Sequence, residues 1–235
     1  MLFHKCGNNY VNNVHMLYSG TQYFRSLQPH EYASFSKLEK TEDFVNVRCR
    51  NFGLSDIKNF NLLEDKESRF LIFTRHPASF IVSAAKYHTR GEEEWARTRA
   101  LNSLGGLTLH GALNDASSDS EKYLIIMKHF KFIYEKQASL SNLFGDYRCL
   151  QVKTEELFSS IDPEYYRNIA KFLRLGDSEE YINALMMSSP AFQTKLPNHA
   201  TGVFKTHNIL STFDAVARSY FEEHFVNYGE ALGYL

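Results

Sequence analysis

The sequence predicts an α/β fold: three layers, with a mainly parallel β-sheet flanked by helices. Three observations carry this. Short apolar, β-rich runs alternate along the chain with segments of helical periodicity, the pattern of parallel strands joined by helical crossovers. Pro77 and Pro163 stand where a first helical turn accepts them. The 235 residues are 43% hydrophobic and 14% aromatic, which suffices for a sizeable core. One domain over residues 1–235 is expected, with ligands bound at the carboxyl ends of the strands.

Residues 1–4 read as a short buried strand. The polar turn Lys5-Cys6-Gly7-Asn8-Asn9 follows, and then a helix with apolar positions at Tyr10, Val14, Leu17 and Phe24; the bland alternative to a ligand-binding turn here is an ordinary helix start capped by Asn8 or Asn9. Residues 44–47 suggest a second strand. FLIFT at residues 70–74 is a clearer third strand, bounded by the charged turn 64–69, and Pro77 opens a helix with Phe80, Ile81, Ala84 and Tyr87 on one side. Residues 92–120, with Gly105-Gly106 and a Ser/Asp run at 117–120, are expected to form an irregular insertion or lid. The spacing Tyr123, Met127, Phe130, Tyr134 predicts a long helix over 121–144, and residues 147–152 a fourth strand. Pro163 opens another helix with Tyr166, Ile169 and Leu173 inward. A polar loop over 188–208 leads to a last helix capped by Ser211 and carrying Phe213, Val216, Tyr220 and His224.

Charge and cysteine content exclude several classes. Lys and Arg number 26 against 27 Asp and Glu, a formal net charge of −1, so no global basic field points to nucleic acid or a membrane, and any anion site must be local. The three cysteines, Cys6, Cys49 and Cys149, are widely spaced, which suggests neither a disulfide framework nor a zinc cluster. No apolar run approaches a membrane span, and Met1 leads almost directly into the first strand, so a cytoplasmic protein is expected. No HExxH spacing suggests a metal site.

Two constellations carry chemistry. The turn around Gly7 lies between a strand and a helix, where backbone N–H groups and the helix dipole favour a phosphate, and Lys5 adds a full charge. The Walker A spacing is absent. The second constellation is Arg75-His76-Pro77 at the end of the FLIFT strand, with Ser83 in the helix beyond. Such an Arg points into the ligand crevice, and the Ser hydroxyl can turn toward the same phosphate. Alternatively the Arg pairs with a carboxylate and the Ser back-bonds to its own helix.

These residues resemble the signatures of the sulfotransferases that use 3′-phosphoadenosine 5′-phosphosulfate (PAPS) and release the bisphosphate PAP. FHKCGNNYV at 3–11 is similar to the Y-P-K-S-G-T-T-W loop, with Lys5 and Gly7 in register, Asn8 and Asn9 at the threonines and Tyr10 at the tryptophan. FTRHPASFIVSAAKYH at 73–88 is similar to R-x-P-x-x-x-x-x-S at Arg75, Pro77 and Ser83. LQVKTEEL at 150–157 and the helix after Pro163 continue the likeness. SPAFQTK at 189–195 is similar to S-F-x-x-M-K, and GVFKTH at 202–207 to G-D-W-K-N-H, so it spans nearly the whole chain. It departs at Asn8 and Asn9, where amides replace hydroxyls, and at Thr154, where a tyrosine would help read the adenine. The Arg-Lys-Gly segment is missing, with Lys195 or Lys205 as substitutes out of register.

The resemblance implies a P-loop-NTPase-like fold and transfer of a sulfuryl group from PAPS to a hydroxyl or amine of a carbohydrate or other small molecule, without a metal. It gives Lys5 and the loop Cys6, Gly7, Asn8, Asn9 and Tyr10 the 5′-phosphate, Arg75 and Ser83 the 3′-phosphate, Phe192 the adenine with Tyr10 on its other side, and Lys205 a place near the 3′-phosphate. The acceptor's proton needs a base; by analogy with family branches that use a glutamate near the first helix, Glu31 is favoured and His30 second. Two other readings stay open: a P-loop-type kinase, which would require magnesium and a carboxylate to hold it, and a sulfotransferase-like protein that binds a nucleotide without turnover.

Overall fold

The computed structural model describes residues 6–18, 24–27, 46–64, 66–175, 178–193 and 209–235. Among them, in chain order, are helix α1 (Asn8–Leu17), strands β1 (Phe24–Leu27) and β2 (Asn46–Cys49), helix α2 (Leu54–Asn59), strand β3 (Phe70–Thr74) and helix α3 (Pro77–Thr89). Helices α4 (Glu94–Thr98), α5 (Leu109–Asp115) and α6 (Asp119–Ser139) precede strand β4 (Cys149–Lys153). Helices α7 (Thr154–Ser159), α8 (Pro163–Phe172), α9 (Glu179–Ser188), α10 (Ala215–His224) and α11 (Val226–Ala231) complete the series. Both strand pairs are parallel, β1 with β2 and β3 with β4, each as a two-stranded sheet among the described residues. Parallel pairing requires a crossover between partners, and α3 to α6 lie in the chain between β3 and β4. The chain is thus α/β with parallel pairing. It divides into two compact units, Met1–Thr74 with Ser139–Lys195, and Arg75–Ala138 with Leu196–Leu235.

In the first unit, β3 and β4 run in register from Phe70 opposite Cys149 to Thr74 opposite Lys153, and Gln151 Nε2 donates to Thr74 Oγ1 at 3.0 Å. Ile72, Phe73 and Val152 are buried, as are Leu157, Tyr166 and Ile169 from the helices that follow β4. Asp162 caps α8 by accepting from the Glu164 N–H, with Pro163 at the first helical position, as the sequence implies. Helix α9 packs on α1. Tyr18 meets Tyr181 edge-on, with ring centroids 5.0 Å apart.

The second unit is helical among its described residues. Every residue of α3 from Pro77 to Ala85 is buried, the burial expected of a helix that is apolar on most faces. Phe80 meets Phe130 and Tyr134 of α6 edge-on at 5.7 and 5.2 Å, and Tyr134 meets Phe225 at 5.6 Å. This aromatic series is the core of the unit.

Several elements differ from expectation. Helix α1 stops at Leu17, Tyr18 takes extended backbone, and Phe24 belongs to β1; the intervening Ser-Gly-Thr sequence has low helix propensity, and Phe24 falls in helical phase only by coincidence. Strand β2 is Asn46–Cys49, reaching two residues past the expected end at 47, while 44 and 45 lie outside the described residues; β4 is Cys149–Lys153 instead of 147–152. Residues 92–120, expected to be irregular, contain α4, α5 and a β-bridge between Ala100 and Thr108. Gly105 and Gly106 make the tight turn inside that bridge with positive φ angles of 64° and 86°. The Ser/Asp run starts α6 by reciprocal capping: Ser118 Oγ accepts from the Glu121 N–H, and Glu121 Oε2 accepts from the Ser117 N–H and hydroxyl. Those two bonds hold the Glu121 carboxyl below its usual pKa. Helix α6 ends at Ser139 instead of 144. The last helices begin at Ala215 with Asp214 as the cap, its carboxylate accepting from the Ala217 N–H, while Ser211 lies in a 3-10 turn. The strand expected at 1–4 lies outside the described residues.

Candidate anion-binding helix starts

The first unit supplies the turn into α1. Gly7 occupies the cap position with φ 88° and ψ 14°, a left-handed conformation that side chains with a Cβ rarely adopt. A Cβ there would stand 3.2 Å from Phe73 Cδ1 and 3.9 Å from Thr154 Cγ2, so the glycine is required by both backbone and space. No side chain caps the helix, so the bland alternative of a cap by Asn8 or Asn9 is not what is found. The Val11 N–H is bonded to Gly7 O at 3.0 Å, and helix geometry leaves the N–H groups of residues 7–10 beyond any intrahelical carbonyl. Such a set of donors at the positive end of a helix dipole suits a phosphate.

The side chains of this turn divide into two kinds. Cys6 is buried and forms no disulfide, and Tyr10 is buried with its hydroxyl donating to Leu185 O at 3.0 Å. The Tyr10 ring lies 6.4 Å from that of Phe73 and 5.9 Å from that of Phe158, and burial pushes its pKa well up. The position expected to stack on adenine thus anchors α1 to α9. Asn9 is exposed and Asn8 half-buried. Thr154, buried at the start of α7, stands beside Gly7 and Phe73. Phe192 is half-buried in a 3-10 turn, its ring edge-on to Tyr166 at 5.8 Å.

The second unit supplies the turn into α3, which follows directly on β3 in the chain. Arg75 is 6% exposed and Ser83 2%, and Arg75 Nη1 donates to Ser83 Oγ at 3.3 Å. The two residues paired by sequence spacing are therefore in contact. His76, to which sequence reading gave no role, caps α3: its Nδ1 accepts from the Ala78 N–H at 3.2 Å, ahead of Pro77. The signal was present, since the residue before a first-turn proline is the usual cap position. Burial, aided by the neighbouring Arg75, lowers the His76 pKa to about 4, so the ring is neutral at pH 7 and Nδ1 keeps its lone pair for the cap. Its ring meets Tyr234 edge-on at 5.5 Å.

Lys5, His30, Glu31, Lys195 and Lys205 lie outside the described residues. No helix among the described residues is long and apolar enough to cross a membrane.

No protein-family profile matches the sequence, and no curated protein matches it. Among solved structures, the mouse sulfotransferase SULT7A1 complexed with PAP aligns with 97% of this chain and 84% of its own, with a TM-score of 0.54 and 14% sequence identity. The likeness shows a sulfotransferase fold. It also agrees with the α/β class and parallel pairing read from the sequence. Within this fold, the turn into α1 offers main-chain donors and the turn into α3 a guanidinium with a hydroxyl, two chemistries suited to phosphate groups.

Proposed function

We propose that this chain is a PAPS-dependent sulfotransferase that transfers a sulfuryl group to a hydroxyl or amine of a carbohydrate or other small acceptor. The observation that carries the reading is the buried contact of Arg75 with Ser83 at the start of α3, the pair the resemblance assigns to a 3′-phosphate. A 3′-phosphate distinguishes this donor from simpler adenine nucleotides. The left-handed Gly7 and the uncapped start of α1 support a second phosphate subsite, and the sulfotransferase structure that shares this fold was solved with PAP.

In this reading Lys5 and the N–H groups of residues 7–10 bind the 5′-phosphate and stabilise negative charge on its oxygens. Arg75 and Ser83 bind the 3′-phosphate. PAPS supplies the activated sulfuryl group, and Glu31 or His30 takes the proton of the acceptor. Catalysis of this kind rests on positioning and charge stabilisation.

The test is transfer of labelled sulfate from PAPS to a panel of hydroxyl and amine acceptors. Turnover that is lost in Lys5→Ala and Arg75→Ala supports the reading. Donor binding without transfer across the panel makes this a nucleotide-binding protein without turnover, and magnesium-dependent use of ATP makes it a kinase.

A further inference from the structure

Ser79 and Ser83 stand four apart in α3, the spacing that aligns side chains on one stripe of a helix. Arg75 precedes the helix, and its guanidinium reaches that stripe at Ser83 Oγ, 3.3 Å away. Ser79 is 0% exposed, and its Oγ has no hydrogen-bond partner among the described residues. Buried hydroxyls are nearly always paired, and a serine in a helix ordinarily finds a carbonyl of the preceding turn. Here it does not.

The main chain of Ser79 adds a second donor. Pro77 has no N–H, the Ala78 N–H goes to His76 Nδ1, and the Phe80 N–H goes to His76 O at 3.0 Å. Ser79, third in the helix, has an N–H beyond the reach of any intrahelical carbonyl. One residue thus brings an unpaired hydroxyl and a helix-start N–H together at the positive end of a 13-residue helix, on the stripe that also carries Ser83, the contact of Arg75.

We propose that Ser79 is a third ligand of the anion bound by Arg75 and Ser83, and that it gives the start of α3 its selectivity for a phosphate monoester. The proposal rests on the donor reading above and adds to it a residue that the sequence motif does not mark. A phosphate monoester accepts several hydrogen bonds at once, and Ser79 Oγ–H, Ser79 N–H, Ser83 Oγ–H and the guanidinium are all donors.

The test compares PAP with AMP, which differ only in the 3′-phosphate, on wild type and Ser79→Ala by calorimetry, alongside thermal melts of the ligand-free proteins. Alanine fits the space of serine, so folding is retained. The expected result is a loss of about tenfold in PAP affinity, corresponding to about 1.4 kcal/mol. AMP affinity should change less than about twofold, and the ligand-free Tm should hold or rise, because a buried unpaired hydroxyl has been removed. Unchanged PAP affinity in Ser79→Ala overturns the proposal, as does equal weakening of both ligands. If wild type binds PAP no more tightly than AMP, the donor reading itself fails and the proposal falls with it; that failure is visible in wild type alone.

Discussion

At the start of α1 the candidate donors are main-chain N–H groups around a left-handed Gly7, whereas at the start of α3 they include the side chains of Arg75 and Ser83. The first arrangement depends on backbone shape, so amides at positions 8 and 9 can replace hydroxyls while the N–H groups stay where they are. The second depends on side-chain identity, where one substitution removes a charge. This chain therefore tolerates change in the exposed part of a backbone-built turn, and not in a pair of buried polar side chains.

The largest expected effect breaks the side-chain site. Arg75→Ala should weaken PAP binding about 100-fold, close to 3 kcal/mol, because a charge-assisted donor is lost. Arg75→Lys should recover only part of it, since lysine lacks the planar fork. Calorimetric titration measures both, and full affinity in Arg75→Lys would mean that charge alone is read there.

Next is a pH effect at the same turn. His76 has a folded pKa of about 4, below the ordinary value of 6.5, so between those values the unfolded chain binds more protons. Its contribution is fully present above pH 6.5 and declines as pH falls toward 4, by about 2–3 kcal/mol. Urea melts across that window should show the slope. His76→Asn, which keeps a capping oxygen, should flatten it, and an unchanged slope in that variant would assign the effect elsewhere.

The backbone-built turn is broken most directly by Gly7→Ala, which combines a φ of 88° with a Cβ 3.2 Å from the Phe73 ring. A loss of about 2 kcal/mol in stability is expected in urea melts, against no more than about 0.5 kcal/mol for Asn9→Ala. Equal, small effects of the two would erase the contrast on which the comparison stands.

The smallest effect sharpens the role of Tyr10. Tyr10→Phe removes the bond to Leu185 O and should cost about 1 kcal/mol of stability while PAP affinity is unchanged. A parallel loss of affinity would return the ring to the adenine.

Sequence pattern revealed the elements whose local signals agree: FLIFT as β3, Pro77 and Pro163 as helix starts, and the inward sets Phe80-Ile81-Ala84-Tyr87 and Tyr123-Met127-Phe130-Tyr134, all of which are buried. It also paired Arg75 with Ser83 across one strand end and one helix. It missed where composition or phase misleads. Phe24 repeats the helical phase beyond a break, residues 117–120 look like a loop until Glu121 closes the cap, and Ser211 resembles a cap although Asp214 serves. The partners of Tyr10 were hidden because Phe73, Phe158 and Leu185 are far from it in sequence. Ser79 was hidden because an unpaired hydroxyl is visible only once its surroundings are known.

The proposed function requires this chain to read an adenine nucleotide carrying phosphates on both its 3′ and 5′ sides. Its most direct test is calorimetric binding of PAP beside ADP and ATP, with and without magnesium, to the wild-type protein. Metal-independent preference for PAP is expected; equal affinity for the three, or binding of ATP that requires magnesium, would overturn the proposed function.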